Sequence, residues 1–68
     1  MLTLQKMAKA ATDAGAEKAE AWKMEGLLCV SVTFAGRKPH AFTWKANDET
    51  VTAKEVENEI RFWASKAA

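Results

Sequence analysis

The chain has little of what usually marks a chemical site or a secreted scaffold. It holds one cysteine, one histidine, one proline, three glycines and no tyrosine. A single cysteine, Cys29, excludes an intramolecular disulfide and fits a reducing compartment. One cysteine and one histidine among scattered carboxylates do not make a zinc or iron ligand set, so neither a metal nor another cofactor is expected. The three glycines are isolated, and none belongs to a glycine-rich loop opening a helix, so no phosphate cradle is expected. No apolar run approaches the roughly 18 residues that span a bilayer, and the first residues lack the basic flank and apolar core of a signal peptide. These absences predict a cytoplasmic protein with no membrane partner. Neither sign of charge dominates: ten basic and nine acidic residues leave a net charge of +1. That argues against binding a polyanion by net charge alone.

Sixty-eight residues make one small domain, 1–68. A chain of this length buries only about 60% of the surface it exposes when unfolded, so its stability is expected to be modest. Much of its apolar share is alanine, which buries little area, and a dimer would ease the shortage of large apolar side chains.

Residues 3–14 are rich in helix formers, with Leu4, Met7, Ala8 and Ala11 on one stripe and Thr3 placed to cap the start. Gly15 either ends this helix as its C′ residue or interrupts a longer one at a cost of about 1 kcal/mol against alanine. Residues 16–24 are ambiguous. Alanine, glutamate and lysine dominate and strands deplete all three, so helix is preferred. Yet Trp22 and Met24 alternate with smaller and charged neighbours, and Glu25-Gly26 could form a tight turn into a strand. Residues 27–35 read as a strand, with Leu28, Val30, Val32 and Phe34 on the core face and Leu27, Cys29, Ser31 and Thr33 on the other. A connection containing Gly36 and Pro39 leads to a second strand over 40–46. There Phe42 and Trp44 are expected to face Val32 and Val30. Asn47-Asp48-Glu49-Thr50 is a turn signal. Thr52 and Glu55 have capping-box spacing before a helix running to about Lys66, whose stripe is Val56, Ile60, Trp63, Ala64 and Ala67.

The expected architecture is α+β: a two-stranded antiparallel hairpin over 27–46 covered by an N-terminal helix and a C-terminal helix over 52–66, in the order αββα. If 19–24 is a strand, the order becomes αβββα. That order is similar to the double-stranded-RNA-binding fold. The family carries a basic Lys-Lys-x-Ala-Lys run at the start of its last helix, where it grips phosphate. The corresponding residues here, Thr52-Ala-Lys-Glu-Val-Glu-Asn-Glu, are acidic, so the resemblance implies a shared topology and not the RNA-binding activity.

No catalytic set emerges. Cys29 and His40 fall at different heights on adjacent strands, which predicts a small half-buried thiol with no base beside it. No carboxylate interrupts an apolar pattern where its acidity would be shifted, so an enzyme is not expected. Two binding surfaces remain. Arg37, Lys38, His40 and Lys45 cluster around the hairpin, as in proteins whose basic turn enters a nucleic-acid groove, although such residues also keep a sheet edge soluble. Phe62 lies outside the last helix's core stripe. With Arg61, Trp63 and the outward hairpin face it could anchor another protein or a second copy of the chain. The expected function is that of a non-enzymatic accessory protein, an adaptor or inhibitor acting by protein–protein binding, with nucleic-acid binding through the basic hairpin as the alternative. Small domains of this kind are familiar as accessory proteins of bacteria and their phages.

Overall fold

A computed structural model describes residues 2–66 and contains two helices and a three-stranded antiparallel sheet. The order is α1 (Leu4–Asp13), β1 (Lys18–Met24), β2 (Leu27–Thr33), β3 (His40–Lys45) and α2 (Ala53–Lys66). The strands lie side by side as β1-β2-β3. The order αβββα replaces the αββα preferred from composition: Lys18–Met24 is a strand and not a helix. Helix propensity is outweighed here by the turn that follows. Glu25 and Gly26 both take positive φ, +48° and +78°, the backbone of a two-residue type I′ hairpin. That turn folds β1 straight back onto β2, with Met24 opposite Leu27 and Lys18 opposite Thr33.

Helix α1 begins as its sequence directs. The Thr3 hydroxyl accepts from the Lys6 backbone N–H at 3.2 Å. It ends in a Schellman turn: Gly15 N–H donates to Thr12 O at 3.0 Å and Ala16 N–H to Ala11 O at 3.1 Å, with Gly15 at φ +106° in the position that favours glycine. The buried residues of α1 are Met7, Ala10 and Ala11, so the seam sits slightly round from the Leu4/Met7/Ala8/Ala11 stripe. Alanine looks the same on every face, and periodicity alone could not choose between Ala8 and Ala10. At the other end, the Thr52 hydroxyl accepts from the Glu55 backbone N–H at 3.2 Å, and α2 runs through Val56 and Ile60, both buried. Ala67 of the expected stripe lies outside the described residues.

One core joins these parts. Met7, Ala10, Ala11 and Ala14 of the α1 region meet Leu28, Val30 and Val32 of β2 and Val56 and Ile60 of α2. Both helices therefore cover the Leu28/Val30/Val32 face of the sheet. The β2–β3 register differs from expectation by two residues: Val30 faces Phe42 and Val32 faces His40. The reason is Phe34, which leaves the ladder. A turn closed by Arg37 N–H to Phe34 O at 3.0 Å turns its ring to Trp63 on α2, centroids 5.8 Å apart. Among the described residues no helix is long and apolar enough to cross a membrane.

Candidate functional site

The pairing registers divide the strand side chains between two faces. Ala19, Ala21 and Lys23 of β1 lie on the helix-covered side. Lys18, Glu20, Trp22 and Met24 lie on the other, beside Leu27, Cys29, Ser31 and Thr33 of β2 and Ala41, Thr43 and Lys45 of β3. No helix covers this outer face. Trp22 and Met24 stand on it 37% and 52% exposed, next to the half-buried Leu27. Directly across from Trp22 is Cys29, flanked on its other side by Thr43. Cys29 is 1% exposed, more enclosed than the half-buried thiol expected. His40 lies three rungs along and on the opposite face, paired with Val32, so the thiol and the imidazole are not neighbours.

The second gathering of side chains lies where the β2–β3 connection meets the end of α2. Trp63 is its centre. His40 stacks flat on it (4.6 Å, 11°), and Phe42 meets it edge-on (5.8 Å, 88°). The Arg37 guanidinium lies 4.8 Å from the Trp63 ring and 5.9 Å from Phe34. Its Nη1 donates to the Ala64 carbonyl at 3.2 Å. A cation over an indole and against the last turn of a helix is favoured by both the ring's quadrupole and the helix dipole. Nη2 of Arg37 is buried, with no hydrogen-bond partner among the described residues.

The residues expected to bind nucleic acid are thus divided. Arg37 and His40 belong to the Trp63 cluster, while Lys38 is exposed on the loop and Lys45 is exposed at the far end of β3 on the outer face. The residues expected to bind protein also part company. Trp63 is half-buried in the cluster. Arg61 spans from α2 to α1, its Nε donating to Glu57 at 2.8 Å and its Nη2 to the Asp13 carbonyl at 2.7 Å. Only Phe62 stands out, 56% exposed, with the Lys66 ammonium 4.4 Å from its ring. Trp22 and Met24 do not stand out in the sequence as surface residues, since a helical 16–24 would scatter them round its axis. The signal was their even spacing ahead of Glu25-Gly26, legible only once β1 is taken as a strand.

Concave sites offer little chemistry. A cleft beside the loop after β3 is lined by Leu2, Leu28, Ala46, Asp48, Glu49 and Val51. Its Asp48 is engaged by Thr50, whose backbone N–H donates to Oδ1 at 2.9 Å and whose hydroxyl donates to the same oxygen. Those bonds hold Asp48 below its ordinary value of 3.8. The groove between the helices mixes Lys6, Lys9 and Lys54 with Asp13 and Glu57. Lys9 is raised above 10.5 by its hydrogen bond to Asp13, 2.9 Å long. Among the described residues no group of three histidine, cysteine or carboxylate side chains is placed to hold a metal ion. Compared with protein families, with characterised proteins and with solved structures, the chain matches none.

Proposed function

We propose that this chain is a non-enzymatic accessory protein, an adaptor or inhibitor, that works by docking against another protein chain through the outer face of its sheet. The observation that carries the reading is the pair Trp22 and Met24, large apolar side chains left 37% and 52% exposed on a face no helix covers. Tryptophan and methionine are enriched at interface centres, where one rigid and one adaptable side chain can fill pockets of a partner. Lys18, Glu20 and Lys45 border them, a polar rim around an apolar centre. Phe62, on α2, offers a second and separate anchor.

The test is photo-cross-linking in the cell that makes the protein, with p-benzoylphenylalanine replacing Met24, Phe62 or, as a control, Lys54. A discrete adduct from position 24 that disappears when Trp22→Lys is added is the expected result. No adduct from 24 or 62, or the same smear from all three positions, would sink the reading. The mass of the adduct separates a foreign chain from a second copy.

A further inference from the structure

The edge of the sheet at β1 has a property that its outer face does not reveal. Beyond the last residue of β3, Ala46 N–H donates to Gly26 O at 2.8 Å, continuing the β2–β3 ladder by one rung. Hydrogen-bonded rungs alternate in an antiparallel pair. The even-numbered residues of β2 therefore bond to β3, and its odd-numbered residues bond to Met24, Trp22, Glu20 and Lys18 of β1. This leaves the backbone N–H and C=O groups of Ala19, Ala21 and Lys23 pointing away from the sheet. No hydrogen bond outside the ladders, among the described residues, engages any of the three. The strand is seven residues long and contains no proline or glycine. Lys18, Glu20 and Lys23 are its charges, and Glu17 N–H, just before it, donates to Thr33 O at 2.8 Å, so the open row begins at Ala19. The β3 edge, by contrast, is entered through Pro39.

We infer that β1 pairs antiparallel with β1 of a second copy, centred on Ala21, to make a six-stranded sheet across a twofold axis. The inference rests on the docking reading and names the partner. The sequence of β1 fits itself in this register. Ala21 meets the partner's Ala21, Ala19 meets its Lys23, Glu20 meets its Trp22 and Lys18 meets its Met24. No like charges stand directly opposite within the strand; the one like-charge approach is diagonal, between the two Glu20 side chains across the axis. The rungs at Ala19, Ala21 and Lys23 are the hydrogen-bonded ones, so all the outward groups of β1 are satisfied. The two Trp22 side chains lie diagonally across the axis on the outer face, within reach for aromatic rings. A twofold contact of this kind closes on itself and leaves no open row on β1 for further growth.

The experiment is sedimentation velocity of the full chain from micromolar to millimolar concentration, paired with amide exchange. A concentration-dependent doubling of mass is expected, with the Ala21 amide becoming protected only as the dimer forms. Ala21→Pro removes an N–H that β2 does not use, so it blocks the edge while leaving the β1–β2 ladder intact. It should weaken the dimer at least about tenfold. The chain is short enough for chemical synthesis, and N-methylalanine at 21 makes the same deletion without fixing φ. A wild type that stays monomeric at millimolar concentration overturns the inference. So does an Ala21 amide equally exposed in the dimer, a dimer weakened by Phe62→Lys and not by the changes at 21, or a series growing past the dimer. A monomeric wild type that still gives a heavier, foreign adduct from position 24 removes the self-pairing alone and leaves the docking reading standing.

Discussion

Glu25 is the residue most at odds with its backbone. It stands at φ +48° in the β1–β2 turn, where a left-handed conformation costs an ordinary side chain about 1 kcal/mol and asparagine much less. Glu25→Asn should therefore raise the denaturant midpoint by an amount worth about 1 kcal/mol, with an unchanged slope. Gly15 is the reverse case. Its φ of +106° suits only glycine, and a Cβ there would come 3.5 Å from the Phe34 ring. The space is ordinary, so the loss expected for Gly15→Ala, about 1–2 kcal/mol in the same measurement, comes from the backbone. Both positions were partly legible in the sequence. Gly15 reads either as the end of α1 or as an interruption of a longer helix, and Glu25-Gly26 reads as a turn outweighed by the helix propensity of the residues before it. A turn needs two residues to redirect a chain, whereas propensity is a sum over many weak preferences, and here the two residues decided.

At the scale of elements, two arginines hold α2 in place. Arg61 reaches the end of α1 through the Asp13 carbonyl, and Arg37 holds the far end through Ala64 and the Trp63 ring. Arg37→Ala should lower stability by about 2 kcal/mol, since it loses a stacked cation and a charged hydrogen bond. Arg37→Lys should recover only part of this, because an ammonium cannot lie flat on the indole; thermal unfolding of the three proteins decides the order. The loop that leads into α2 responds to acid. Asp48 is more acidic folded than unfolded because Thr50 donates to it. Its contribution is complete above the ordinary carboxylate value of 3.8 and is lost as pH falls through its lower folded value. The Thr50 amide resonance should follow that step, and Asp48→Asn should abolish it. The Glu57–Arg61 pair has the i,i+4 spacing a helix shows in its sequence, whereas the two long-range arginine contacts are not readable from the chain. Arg37 and Ala64 are 27 positions apart and Arg61 and Asp13 are 48, and a charged residue in a loop or on a helix looks solvated until its neighbours are known. The β2–β3 register failed for a related reason. Phe34 fitted the strand pattern, but its ring had a better use against Trp63.

Across the whole molecule the layout of the layers was legible: helices at both ends, a β-rich middle and the Leu28/Val30/Val32 face inward. The candidate site was less so, because a face is defined by pairing and β1 was not read as a pairing strand. Cys29 reports on the whole assembly. It is 1% exposed at the centre of the sheet, shielded by its cross-strand neighbours. Its reaction with a thiol reagent should be slow under native conditions and should accelerate with denaturant along the same curve as global unfolding. Rapid labelling of the folded chain would show instead that the outer face opens by itself. The seam of α1 has a consequence of another kind. Its inward positions are Ala10 and Ala11, enclosed in the core that α1 shares with the sheet and α2, with Met7 the one long side chain among them. Alanines at such positions let a helix lie close to its neighbours, and a well-packed interior takes extra methylenes poorly. In a library of random variants this segment should carry a ceiling on size and not a demand for hydrophobicity. Glycine and serine at 10 and 11 should persist where valine and leucine disappear, whereas Val56 and Ile60 should show the opposite filter.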